Sequence, residues 1–158
     1  DFEIVAGILR DPEVRRIWEQ DFSDEEVWAW IARRQEGYRK SGIDYLLALD
    51  KATGQPVGQI GVLREEINGE KVWGVGYTIP SCRKKGYATE GARRMAAYAF
   101  EELGADKIIC DIRPINGPSL AVARRLHMTE TGSFVKRVHG VEMVHRIFVL
   151  RPDDLHQQ

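Results

Sequence analysis

Ile79-Pro80-Ser81-Cys82-Arg83-Lys84-Lys85-Gly86-Tyr87-Ala88-Thr89-Glu90-Gly91 marks a change of period in the chain. Ahead of it, Val72 to Ile79 is a β-rich run. Behind it, Ala88, Ala92, Met95, Ala96, Ala99 and Leu103 fall on one stripe of a helix, and Glu90, Arg93, Arg94, Glu101 and Glu102 fall on the other side. The basic, glycine-containing loop between the two therefore stands at a helix N-terminus. Free backbone N–H groups and the helix dipole attract anions there, and a residue without a Cβ lets a phosphate approach the main chain. Arg83, Lys84 and Lys85 add side-chain charge at the same place. A solvated basic turn capping a helix would have the same composition, so the flanking sequence has to decide between them.

Working outward, Asp44 to Leu49, Pro56 to Leu63 and Lys71 to Ile79 read as three strands. The turns between them are Lys51-Ala52-Thr53-Gly54 and Asn68-Gly69, and Asn-Gly between alternating apolar runs is a strong hairpin signal because both residues tolerate positive φ. After the helix Gly86 to Leu103, closed by Gly104, Lys107 to Arg113 reads as a buried strand and Pro118 to Leu126 as a helix. Gly132 to Val138 and Glu142 to Leu150 form a last hairpin pair. Toward the N-terminus, Phe2 to Leu9 is apolar at helical spacing, and Asp11-Pro12-Glu13 opens a second short helix through Trp18. Ser23-Asp24-Glu25-Glu26 is a capping box, and its helix runs through Val27, Trp30, Ile31 and Tyr38 to Ser41-Gly42. Trp28 and Trp30 on that helix read as core. This order of elements argues for one domain of the α+β class, a mixed α/β layer with a mostly antiparallel central sheet, rather than a βαβ barrel.

Arg83-x-x-Gly86-x-Ala88 in this strand-to-helix context resembles the pyrophosphate loop of the GCN5-related N-acetyltransferases (GNAT). Gly76-Tyr77, Gly86-Tyr87-Ala88-Thr89-Glu90 and Tyr98-Ala99-Phe100-Glu101 are similar to the RimJ and RimL branch, which acetylates protein N-termini. So is Asn116-Gly117-Pro118-Ser119, which matches that branch's Asn-x-x-Ser at the start of its next helix. The resemblance covers roughly Ile43 to Leu150 and implies a GNAT-like sheet with helices on both faces. That family carries a β-strand ahead of its first helix; residue 1 here already lies in the helical region, which implies a trimmed N-terminus and leaves one sheet edge open.

The activity implied is acetyl transfer from acetyl-coenzyme A to an amine. The pyrophosphate would lie on main-chain N–H groups from Arg83 through Lys84, Lys85, Gly86 and Tyr87 to Ala88, with Thr89 beside them. The pantetheine arm would run along Tyr77, Thr78 and Ile79, where Pro80 ends the strand and an N–H near Ile79 would polarise the thioester carbonyl. Asn116 would bond the coenzyme arm or hold its loop. Many relatives use a Tyr seven residues after this Asn, but here that residue is Ala123. Ser119 is therefore the candidate hydroxyl donor to the leaving thiolate, against a plain role as a helix cap.

Relatives often carry a Glu two residues before the Gly-Tyr pair, and here that residue is Gly74. Glu65, Glu66, Asp111, Glu142 and His145 remain as candidate bases, and water is an alternative. With no strong base at Gly74 or Ala123, the expected acceptor is an amine with a pKa near about 8, such as a protein α-amine, rather than a lysine ε-amine near about 10.4. A polyamine, an aminoglycoside and an amino acid stay open as acceptors. The two departures also keep open a coenzyme-binding module without turnover. His127-Met128 stands where the family has Gly-Phe, so a turn is remodelled there.

Other phosphate-loop readings fail at named residues. Gly86 to Arg93 lacks the Lys and Ser/Thr that a nucleoside triphosphate and its metal require, and Gly74-x-Gly76 lies within a strand and is followed by Ile79 where a dinucleotide fold needs its third Gly. His139 and His145 have no metal-ligand context, so no metal is expected. The 158 residues, 43% hydrophobic, suffice for one buried core, and a net charge of -1 from 23 basic and 24 acidic residues points to neither nucleic acid nor an anionic membrane. No apolar run is long enough to span a bilayer and Asp1-Phe2-Glu3 is no leader, so a cytoplasmic protein is expected, monomeric or a homodimer. Cys82 and Cys110 read as free thiols.

Overall fold

The structure, a computed structural model, describes residues 1–80, 86–138 and 140–156. The chain opens with three helices, α1 (Phe2–Leu9), α2 (Pro12–Trp18) and α3 (Asp24–Ser41). A meander of β1 (Tyr45–Leu49), β2 (Pro56–Ile67) and β3 (Glu70–Thr78) follows, then α4 (Tyr87–Glu102), β4 (Ile108–Ile112), α5 (Gly117–Arg125), β5 (Thr129–Val138), β6 (Val141–Leu150) and α6 (Pro152–His156). Local chemistry sets most of the boundaries. Asp11 accepts from the N–H groups of Glu13 and Val14 to start α2 at Pro12. The Ser23–Glu26 capping box is present in full, and Gly42 ends α3 with φ 78°. Asn68 and Gly69 take φ 51° and 81°, the pair of positive values that a tight hairpin needs.

The six strands form one sheet in the order β1-β2-β3-β4-β6-β5, with β3 and β4 parallel and the other neighbours antiparallel. Helices lie on both faces. On one, Ala92, Ala96 and Ala99 of α4 are almost fully buried, so this helix sits close over Val62 and Val75 and shares a core with Ile108, Leu120, Ala123, Phe148 and Leu150. On the other, Val5, Leu9, Val14, Val27 and Trp30 of the three N-terminal helices, with Phe22 from the connection before α3, pack on Tyr45. Burial of these side chains, each worth about 1.5–3 kcal/mol for a fully buried Val, Leu, Ile or Phe, holds the helices on the sheet.

The structure departs from sequence expectation in four places. Trp28 is exposed, stacked at 4.7 Å on Phe2, while Trp30 is buried and donates its indole N–H to Gln59 at 3.0 Å. β2 runs on to Ile67, four residues beyond its expected end, because it keeps pairing with β3 down to Glu70. β5 starts at Thr129, ahead of Gly132, with an irregular register between Glu130 and Gly132. α6 was not anticipated; it packs Leu155 onto the core. At the turn after α5, His127 holds a left-handed φ of 56°, a conformation that glycine adopts without strain. Among the described residues, no helix is long and apolar enough to cross a membrane.

Candidate active site

The pairing of β3 with β4 is a parallel one set by Gly74 opposite Ile109. Beyond it a cleft of about 420 Å³ opens between the C-terminal ends of the two strands. One end of the cleft is lined by Ile79, Gly86, Tyr87, Ala88, Thr89, Asn116, Ser119 and Arg125, the other by Glu13, Trp18, Leu63, Glu65, Asp111, Lys136 and His145, with Tyr77 and Thr78 also on the lining.

Gly86 is the N-cap of α4 with φ 79°, a conformation that favours glycine, and no atom of the described residues lies within 4 Å of where its Cβ would stand. The first N–H groups of α4 therefore open onto the cleft beside a bare backbone. Tyr87 reaches from this turn to the β1–β2 loop, donating its hydroxyl to Asp50 Oδ2 at 2.5 Å. Asp50 also accepts from the N–H groups of Ala52 and Thr53, and these bonds, that of Tyr87 foremost, hold its carboxyl below the usual range. Sequence reasoning passed over Asp50, which anchors the start of α4 to the far side of the meander. Arg83, Lys84 and Lys85 lie outside the described residues, as do Cys82 and His139.

Asn116 is the N-cap of α5 and its side-chain carbonyl accepts from Ser119 N–H at 3.2 Å. The capping role weighed for Ser119 thus belongs to Asn116, and the Ser119 hydroxyl is left for another partner. That partner is Tyr77, whose phenol oxygen lies 2.7 Å from Ser119 Oγ. Both residues are largely withdrawn from water, and burial pushes the Tyr77 hydroxyl well above its ordinary pKa, so it stays protonated as a donor. Ala123, where many relatives were expected to carry a Tyr, is fully buried, and a phenol reaches this end of the cleft from β3 instead. The Gly76-Tyr77 pair was read only as a wall for the coenzyme; the residue's hydroxyl was the missed signal.

Of the five candidate bases, the structure brings three together. Asp111 Oδ2 lies 3.1 Å from Lys136 Nζ and 3.1 Å from His145 Nδ1. His145 is buried, and neither ring nitrogen has a well-formed hydrogen bond among the described residues. Burial alone would raise the Asp111 carboxyl, but the contact with His145 and the charge of Lys136 outweigh it and hold Asp111 below the usual range. Glu65, half-buried and hydrogen-bonded to Asp111, is pushed the other way, up to about 8, first by desolvation and then by the Asp111 charge. Glu66 points to solvent from the other face of β2. Glu142 is exposed at the hairpin end, paired with Arg137 at 3.0 Å, and neither lines the cleft. Cys110, buried, donates its thiol to Val75 O at 3.3 Å and is a packing residue between β3 and β4.

A sheet that parts between two parallel strands, with a helix N-terminus at one end of the cleft and titratable side chains at the other, is a site for an anionic ligand that meets a reacting group. Residues 1–129 match the family model described as acetyltransferase (GNAT) domain. The chain belongs to this GNAT acetyltransferase family and is an acetyl-coenzyme A-dependent acyltransferase. It is 32% identical over 133 residues to the uncharacterized protein YkkB of Bacillus subtilis strain 168, a match that spans 81% of this chain and 76% of that protein. Its fold is similar to that of the ribosomal-protein-S5-alanine acetyltransferase of Vibrio fischeri, with TM-score 0.74, 18% identity, and 98% and 90% of the two chains covered. It is similar as well to Mycobacterium smegmatis RimJ in complex with CoA-disulfide, with TM-score 0.73, 22% identity, and 99% and 82% covered.

Proposed function

We propose that this chain moves the acetyl group of acetyl-coenzyme A directly onto a primary amine in the cleft between β3 and β4, and that the acceptor is a protein N-terminal α-amine. The observation that carries the reading is the polarity of the cleft. The N-terminus of α4 and the Tyr77–Ser119 hydroxyl pair stand at one end, and the Glu65–Asp111 carboxyls at the other. The coenzyme's pyrophosphate lies on the N–H groups at Gly86, Tyr87, Ala88 and Thr89, joined by Arg83, Lys84 and Lys85. Its pantetheine arm follows Tyr77, Thr78 and Ile79 past Asn116, which brings the thioester to Ser119. The Ser119 hydroxyl, backed by the Tyr77 phenol, gives a proton to the leaving sulfur. The acceptor enters from the Glu65 and Asp111 side.

Gly86→Asp tests the coenzyme end. Aspartate tolerates a left-handed backbone better than most residues, so the substitution chiefly sets a negative charge where the pyrophosphate belongs. The expected result by calorimetry is a loss of at least about tenfold in acetyl-coenzyme A affinity, roughly 1.4 kcal/mol, in a protein that still folds. Unchanged affinity removes the coenzyme from this loop.

The absence of a base at Gly74, which favoured weakly basic amines, does not hold in space, because Glu65 reaches that position from β2. The α-amine assignment therefore rests on the likeness to the RimJ and RimL branch. It is supported by the modest demand such an amine makes on a base, its pKa being within about a unit of neutral pH. Matched peptides test it, one with a free N-terminus and no Lys, one N-blocked with a single Lys, compared by kcat/KM from pH 6.5 to 9. The α-amine peptide should be preferred throughout. Better use of the Lys peptide, or of a polyamine, an aminoglycoside or a free amino acid run in parallel, reassigns the acceptor.

A further inference from the structure

Gly74 stands where the resemblance led us to expect a carboxylate, yet the space above it is not empty. A Cβ built on Gly74 would come within 2.7 Å of Glu65 Oε2 and 3.1 Å of Glu65 Cδ. Glu65 is paired across the ladder with Val72, and Leu63 is the residue opposite Gly74. The Glu65 side chain therefore leans diagonally along the sheet and sets its carboxyl over the Gly74 backbone, which a side chain at residue 74 would prevent. In the same row of the sheet face, Gly76 leaves room for the Tyr45 hydroxyl. The two glycines form a bare floor and the neighbouring strands supply its polar groups.

We propose that Glu65 is the catalytic base for the acceptor, a carboxylate relocated from β3 to β2. The inference rests on the acetyl-transfer reading above. Glu65 lines the cleft with Thr78, Asp111 and Lys136, at the end away from Ser119. The incoming acceptor is an ammonium ion. It gives one proton to the Glu65 carboxylate, and the freed nitrogen lone pair forms the C–N bond at the thioester carbonyl. The C–S bond then breaks with its electron pair on sulfur. The second proton leaves nitrogen as the amide forms, and sulfur takes one from Ser119, whose hydroxyl regains it from the departing N–H. The products are the acetamide, the free thiol of coenzyme A and a protonated Glu65, which returns its proton to water.

The groups facing Glu65 set its titration. Asp111 of β4 stands beside it, with Lys136 of β5 and His145 of β6 on the far side of Asp111. Tyr45 of β1 and Arg34 of α3 come from the helical face, and Glu13 of α2 lines the same cleft. Because the base works only when ionised, kcat/KM should rise with pH through about 8. A cationic acceptor beside the carboxyl favours the ionised form and moves the limb lower once bound.

The experiment compares wild type with Glu65→Gln, Glu65→Ala, and Glu65→Ala/Gly74→Glu, using the free-N-terminus and N-blocked Lys peptides at pH 7. Glu65→Gln should lower kcat at least about 10²-fold with the KM for acetyl-coenzyme A unchanged. The double variant returns a carboxylate to β3 at a backbone position any residue adopts; Glu65→Ala clears the carboxyl from the new Cβ, and Ile109 O, 3.3 Å away, gives by a few tenths of an ångström. This variant should recover at least about tenfold of the activity that Glu65→Ala loses. Activity of Glu65→Gln within about threefold of wild type, or a double variant no better than Glu65→Ala, overturns the assignment. Carbon-13 NMR of the Glu65 carboxyl, identified by its loss in Glu65→Gln, reads the same site without turnover: titration near 8 supports the proposal, and titration below 6 contradicts it. A wild-type protein that acetylates none of the amines while Glu65 titrates near 8 would instead refute the acetyl-transfer reading.

Discussion

Ser119→Ala should lower kcat by roughly 10²-fold and leave the KM for acetyl-coenzyme A nearly unchanged. The substitution removes a hydroxyl that is not capping α5, since that cap is the Asn116 side chain, so the helix loses little. What is lost is the group 2.7 Å from Tyr77 Oη that would face the leaving sulfur. A change of KM with kcat preserved would mean that Ser119 holds the coenzyme in ground and transition states alike. A fall in melting temperature without a kinetic effect would mean that it only packs. Tyr77→Phe sharpens the distinction. It keeps the aromatic wall, removes the phenol behind Ser119, and should cost less than Ser119→Ala because water can hydrogen-bond to the serine in its place.

Asp111→Ala should be the most destabilising of the single changes at the acceptor end. Removing one partner of a buried ion pair typically costs about 3–5 kcal/mol, because the other charges remain. Here the effect should fall toward the lower end, since Lys136 is part-exposed and Glu65 can ionise once the neighbouring negative charge is gone. Asp111 is held below its unfolded pKa in the fold, so its contribution is present above about pH 4 and is lost as pH falls further. Denaturant unfolding of wild type and variant should therefore differ most near neutrality and converge in acid. Glu65 has the opposite sign. Its folded pKa is raised, so burying its charge costs stability that grows as pH rises from about 4.5 to about 8, and Glu65→Gln should melt higher than wild type at pH 8.5. A residue that weakens the fold at working pH yet sits in the cleft is what a catalytic carboxyl looks like thermodynamically.

The elements that the sequence made plain are those whose signals are local. Asn68-Gly69, the Ser23 capping box, Pro12 and Gly42 each fix a backbone conformation by their own chemistry, and the structure has the turn, cap or stop that each implied. The alanine stripe read from the sequence is likewise the buried face of α4, and the strand-to-helix change after Ile79 is where β3 gives way to that helix. What stayed hidden depends on register between strands. Nothing near Glu65 in sequence says that it will lean over Gly74, because that contact follows from the β2–β3 pairing and from the absence of a Cβ two rungs away. The Tyr77–Ser119 contact joins residues 42 positions apart. Trp28 misled because its helix is amphipathic over a narrow stripe, and Trp28 falls one step outside it, where Phe2 covers only one of its faces.

A crystal structure with acetyl-coenzyme A tests the central assignment most directly, because cofactor, leaving group and base are separated in space along one cleft. The account predicts the pyrophosphate on the N–H groups of α4 at Gly86 to Thr89, and the thioester sulfur within hydrogen-bonding reach of Ser119 Oγ. The acetyl carbonyl should face the N–H near Ile79, and the methyl end should point toward Glu65. A coenzyme bound with its sulfur against Asp111 and His145, or anywhere outside the cleft between β3 and β4, would contradict it.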